Sequence, residues 1–223
     1  MSTIAPTPPE MTVEELASRV GAVPLCRIRT DPAPGDATEA DVERVRRTES
    51  VLCELLDGVL VEKAVSDMSA FLAMALGRLL GNFVAPRQLG WIMGPDGFVW
   101  LFGKKLRSPD VSFVRRDQRP SGRLLVRGYA DIAPALAVEI FSPGNTAGEM
   151  KQKRRDFFAA GTELFWIVYP ERRGIEIFTA PETPCAVLGL EDTLDGGAVL
   201  PGFTLRVAEL FAALDLGEER TGP

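Results

Sequence analysis

Asp110, Glu139 and Lys153 are the residues of this sequence whose types and spacing best suit chemistry. Glu139 interrupts the apolar run 136–141, where alternation puts Ala137, Glu139 and Phe141 on one side and Leu136, Val138 and Ile140 on the other. Asp110 opens a second β-rich run directly after Pro109. A carboxylate buried in a sheet must be protonated, paired with a cation or bound to a metal. Glu149, Lys153 and Phe157 follow at i, i+4 and i+8, one stripe of a helix that Phe157 turns toward the core. The loop 142–146 brings that helix back over the end of the strand bearing Glu139. Two close carboxylates repel unless a divalent ion lies between them. Oxygen donors select a hard ion, so magnesium or manganese is expected on Asp110, Glu139 and the Ile140 carbonyl, with water and a phosphate oxygen. Such an ion acidifies a bound water and stabilises charge on phosphorus, while the Lys153 ammonium orients the water or neutralises the phosphate. That is phosphodiester hydrolysis. The plainer alternatives are a turn residue at Asp110, an arginine partner for Glu139 and a surface ion pair between Glu149 and Lys153.

Composition leaves few other chemistries open. The chain has no histidine, which excludes Ser-His-Asp and Cys-His hydrolases, histidine zinc sites and histidine general bases. Cys26, Cys53 and Cys185 are widely spaced and odd in number, which suggests neither a disulfide framework nor a thiolate metal site. The first ten residues carry no cationic segment followed by an apolar one, so a cytoplasmic location is expected. No apolar run is long enough for a membrane span. The net charge of −6 is unevenly distributed, at −6 over residues 1–67, +6 over 68–181 and −6 over 182–223. The basic stretch 104–127 in the centre suits a polyanionic partner, DNA above all.

The elements that must position these residues follow from periodicity. At 223 residues the chain is one domain with appendages. Residues 1–48 read as an N-terminal extension that starts disordered, then forms a helix from the Thr12–Glu15 capping box and a charged helix from Thr38 to about Arg47. The main domain spans 49–215, and 216–223 is a disordered tail. Asp57-Gly58 joins the hairpin strands 52–56 and 59–62. Ser66-Asp67 caps a helix to about Phe83. Strands are expected at 89–93 and 98–102 about the turn Gly94-Pro95-Asp96-Gly97, and at 111–114, 136–141, 164–168 and 175–178. A helix from 148 to 160 ends at Gly161, and further short strands and a helix near 207–214 close the chain. Strand, helix and strand between 136 and 168 imply a crossover, hence a parallel pair in a mixed α/β sheet.

Pro109-Asp110, Glu139-Ile140-Phe141-Ser142-Pro143, the Glu149, Lys153, Phe157 and Gly161 series, and Leu164-Phe165-Trp166-Ile167-Val168 together resemble the Uma2 family, also called DUF820, endonucleases of the PD-(D/E)xK superfamily. The segments 53–62, 192–197 and 200–203 resemble it as well. The resemblance implies a restriction-endonuclease-like core and a metal-dependent endonuclease acting on DNA, with Asp110, Glu139 and Lys153 catalytic. Glu54 and Glu62 match acidic positions of the family's hairpin. The sequence departs from the pattern in carrying Phe141 where the superfamily lysine stands, Phe157 for an aromatic hydroxyl, Tyr169 for an aspartate, and no histidine near Asp67. Two other readings compete: a nuclease-fold domain that binds nucleic acid or a protein partner without cutting, and an interaction module whose sheet edge forms a homodimer. Convergence of Asp110, Glu139 and Lys153 favours the enzyme.

Overall fold

The computed structural model describes residues 11–119, 121–125 and 128–215. The two segments expected to be disordered, 1–10 and 216–223, and Arg127 of the basic stretch lie outside the described residues. Helices α1 (Val13–Val20) and α2 (Glu39–Glu49) lead into a hairpin of β1 (Cys53–Leu56) and β2 (Val59–Glu62), followed by α3 (Asp67–Val84). Then come β3 (Gly90–Met93), β4 (Val99–Trp100), β5 (Lys105–Arg107), β6 (Val111–Arg115) and β7 (Leu136–Ile140). Helix α4 (Ala147–Ala160) connects β7 to β8 (Leu164–Tyr169), which precedes β9 (Gly174–Phe178) and β10 (Ala186–Leu188). A small pair, β11 (Thr193–Asp195) and β12 (Thr204–Arg206), leads to α5 (Val207–Ala212).

The central sheet runs β10-β9-β8-β7-β6-β3, and only its β7–β8 pair is parallel, the pair that α4 crosses over. One face of this sheet, with Val111, Phe113, Val138, Ile140, Trp166 and Val168, packs against α3, α5 and the β11–β12 hairpin. The other face carries Ala137, Phe165, Ile167 and Phe178, and α4 covers it with Met150 and Phe157. A second sheet, β2-β1-β5-β4, adds Val99 to that face, joined by Leu101 just after β4, and carries α2 on Val42 and Val45. Each fully buried leucine of α3 (Leu72, Leu76, Leu80) contributes about 1.5–3 kcal/mol by leaving water, which fixes that helix on the sheet.

Local chemistry explains the boundaries. Ser66 and Ser69 form a reciprocal cap at the start of α3, and Thr12 and Glu15 cap α1 as expected. The β1–β2 turn needs positive φ at both Asp57 (49°) and Gly58 (85°). A Cβ on Gly58 would also lie 2.3 Å from the Gly35 carbonyl oxygen, so this position has no substitute. Gly81 is the opposite case. It sits inside α3 without positive φ, and a Cβ there meets nothing within 4 Å. Gly81→Ala should therefore raise stability by about 0.5–1 kcal/mol, seen as a higher Tm in thermal unfolding; a lowered Tm would contradict the open space.

Two expectations are corrected. The expected strand 98–102 shrinks to the two residues of β4, which lie in the second sheet, while β3 joins the central sheet through β6. β5 was not foreseen. Lys105 and Arg107 read as solvent-facing cations, but both are buried, because their partners come from elsewhere in the chain.

Candidate active site

The antiparallel register of β6 and β7 pairs Val111 with Val138, which sets Asp110 opposite Glu139 on the face away from α3. Asp110 is held at both ends. Its N–H donates to the Val138 carbonyl (3.0 Å), and its Oδ2 accepts from the Ile140 N–H (2.8 Å). The Phe141 N–H turns the other way, to the Val168 carbonyl of β8. Because the N–H and C=O of one strand residue point the same way, the Ile140 carbonyl is on the Asp110 side. Lys153 reaches the pair from the second turn of α4, whose first turn is capped by Thr146. Its Nζ donates to Glu139 Oε2 at 2.9 Å and lies 3.5 Å from Glu54 Oε1. The sequence-predicted residues are thus neighbours: Lys153 is bonded to Glu139, and Asp110 lies opposite Glu139 in the register and is bonded to the Ile140 backbone. The surface Glu149–Lys153 pair does not form: Glu149 is bound by both terminal nitrogens of Arg27 (2.8 and 2.9 Å) and by Asn145.

A buried charge network backs this cluster. Arg107, 1% exposed, donates to Glu54 Oε2 (2.7 Å) and to Asp156, which also accepts from Lys105 and Gln152. Glu54 Oε1 accepts from the Ser108 N–H (3.1 Å). Burial works to raise the Glu54 pKa, but Lys153, Arg107 and Lys63 together outweigh it and hold the carboxyl down at about 2. The same opposition in Lys153 ends with its pKa raised: burial disfavours the ammonium, and Glu139, Glu54 and Glu149 more than compensate. Glu139 goes the other way. Burial, then the neighbouring charges of Asp110 and Glu54, push it up to about 7 against the pull of Lys153 and Lys63.

Glu139 Oε1 is buried and accepts no hydrogen bond. An orphaned oxygen on a carboxylate only 3% exposed is costly, and Glu139 stands on the same side of the sheet as Asp110. Two carboxylates and a backbone carbonyl form a hard, all-oxygen donor set of the kind magnesium or manganese takes when water and phosphate complete the shell. No group of three or more His, Cys, Asp or Glu side chains arranged for a metal occurs among the described residues. The site therefore fits such an ion as a partial shell. Asp110 is its most open side chain at 14%, and it lies at the end of a groove of about 660 Å³ between α3 and the β3 edge, walled by Ala70, Ala73, Met74 and Ile92.

Sequence reasoning missed Lys63, Arg107 and Asp156. Lys63 follows β2 and donates to Asp110 Oδ1 at 2.9 Å. Asp156 could have been found at three residues beyond Lys153, one turn along the same helix face. Arg107 had no local signal, since its partners are 53 and 49 residues away. Glu54 belongs to the cluster, whereas Glu62 does not and pairs with Arg29. The basic stretch 104–127 is divided: Lys105, Arg107 and Arg119 are buried, Arg115 pairs with Glu163, and Lys104, Arg116 and Arg123 are exposed.

Comparison with known proteins bears on the family and the fold. Residues 40–208 match the model of the Uma2 family, described as "Putative restriction endonuclease". A crystal structure of "a putative nuclease belonging to DUF820" from Anabaena variabilis is 18% identical, with a TM-score of 0.63 over 73% of this chain and 91% of that one. That likeness establishes the shared fold. No curated protein matches the chain. No helix among the described residues is long and apolar enough to cross a membrane.

Proposed function

The chain belongs to the Uma2 family, and from that premise we propose that it is a metal-dependent endonuclease that hydrolyses phosphodiester bonds of DNA at Asp110, Glu139 and Lys153. The observation that carries this reading is the orphaned Glu139 Oε1 beside Asp110, with an ammonium on the other oxygen. Asp110, Glu139 and the Ile140 carbonyl would hold magnesium or manganese, which supplies a water acidic enough to attack phosphorus near neutral pH and neutralises phosphate charge. Asp110 is kept in place for this by the Ile140 N–H, and Glu139 by Lys153. Lys153, charged and fixed, is the group that orients the attacking water or stabilises the phosphate. Lys104, Arg116 and Arg123 are the exposed cations of the basic stretch available to the DNA backbone.

The test is a manganese titration of the purified protein by calorimetry, followed by incubation of the loaded protein with duplex and single-stranded DNA. Saturable binding that disappears in Asp110→Asn and Glu139→Gln, together with strand scission, is the expected result. Equal binding in all three proteins would remove the metal site, and binding without scission would turn the assignment to a nuclease-fold domain that holds nucleic acid uncut.

The raised pKa of Glu139 adds a pH dependence. A metal ligand must be deprotonated, and Glu139 holds its proton up to about pH 7. Manganese affinity should fall about tenfold per pH unit below 7 and level off above it. Calorimetry at pH 6, 7 and 8 measures this; a flat profile would mean that Glu139 is not a ligand.

A further inference from the structure

Lys63 contacts Asp110 directly, and neither the family resemblance nor the hydrolysis reading assigns it a role. Its side chain is 3% exposed, and its Nζ donates to Asp110 Oδ1 (2.9 Å) and to the Ser108 carbonyl (2.5 Å). Asp110 Oδ2 is already committed to the Ile140 N–H, so Oδ1 is the oxygen an incoming cation would use, and the Lys63 ammonium occupies it. With Glu139 ionised, the charges of the cluster also balance without any ion. Lys63 and Lys153 neutralise Asp110 and Glu139, while Arg107 and Lys105 neutralise Glu54 and Asp156. A divalent ion would leave two uncompensated positive charges in a buried site unless an ammonium yields its place or a phosphate enters with the ion. Lys153 is hemmed in by Glu139 and Glu54 on the inner side. Lys63 stands beside the most open carboxylate, on the segment between β2 and α3.

We propose that Lys63 is an exchangeable counter-ion of this site: it holds Asp110 in the ion-free protein, gives up Oδ1 to the divalent ion, and then pairs with a non-bridging oxygen of the substrate phosphodiester. The exchange rests on the metal-dependent nuclease reading. No bond is made or broken in it; one ion pair replaces another. Two consequences have opposite signs. Without the competing ammonium, the ion meets a free Asp110 and binds more tightly. Without its positive charge, the loaded site holds a phosphate less well.

Calorimetric titration of wild type and Lys63→Met with manganese in the absence of DNA measures the first. The variant should bind about tenfold more tightly, within the range usual for coupling between neighbouring sites. Duplex DNA binding at pH 8 and saturating manganese, compared in Lys153→Met and in Lys153→Met combined with Lys63→Met so that cutting is slow on the timescale of binding, measures the second. The double variant should bind more weakly, with a salt dependence shallower by about one released counter-ion. Lys63→Gln, which retains a donor for the Ser108 carbonyl, serves the same comparison where the methionine variant does not fold. Manganese bound equally well or less well by a folded variant would overturn the exchange while leaving the metal site standing. Manganese bound by neither protein would overturn the exchange together with the metal-dependent reading.

Discussion

Arg107→Met should lower stability by about 3–5 kcal/mol, because it leaves Glu54 and Asp156 buried with too little positive charge. For a chain of this size, that is a fall in Tm of roughly 10 °C. Arg107 spans two layers: Glu54 belongs to β1 and Asp156 to α4, so the guanidinium ties the second sheet to the crossover helix. Arg116→Met, at an exposed position, should change stability by no more than about 0.5 kcal/mol and serves as the control. The acid limb of stability carries a further signature. Glu54 has a folded pKa of about 2 against an ordinary 4.5, so its contribution is complete above pH 4.5 and is lost as pH falls toward 2. With Arg107 gone, the Glu54 pKa rises and that contribution shrinks, flattening the limb. Thermal unfolding of both variants between pH 2 and pH 7 measures both effects; a Tm within about 2 °C of wild type for Arg107→Met would show that the network is not load-carrying.

Lys153→Met is expected to reduce cleavage by about a hundredfold or more, since a preorganised charge at the reacting phosphate is removed. Methionine preserves the apolar stem, so the helix should keep its packing through Met150 and Phe157. The loss of the ammonium lets Glu139 hold its proton to higher pH, so manganese binding by the variant should appear only above neutrality. Single-turnover cleavage at pH 8 and saturating manganese, with calorimetry on the same sample, separates the two effects. A rate equal to wild type with manganese bound would remove Lys153 from the reaction.

Periodicity made most of the fold legible. The hairpin at Asp57-Gly58, the α3 pattern and the parallel crossover all depend on neighbours in sequence, and each forms within a residue or two of its expected place. The site was legible where a charged residue broke an apolar pattern, as at Glu139, or sat on a helical stripe, as at Lys153. Lys105, Arg107 and Lys63 were illegible for the converse reason: each lies in a polar local context that looks solvated, and only partners 45 to 53 residues away make its burial affordable. Pairing across such separations leaves no local trace in a single sequence.

The segment shared with the family begins at residue 40, but Arg27 lies before it. Its guanidinium binds Glu149, the Gly144 carbonyl and the Glu62 carbonyl at once, and Ala22 sits so close to Gly148 that an added Cβ would come within 2.6 Å. The start of α4 is therefore built jointly by both parts of the chain. A polypeptide trimmed to the shared boundaries would expose the wall beneath Glu149 and strip that carboxylate of its bidentate partner one turn from Lys153. Residues that precede the family-matched region thus form part of the surroundings of the candidate site, since Arg27 and Ala22 pack directly on the start of the helix that carries Lys153.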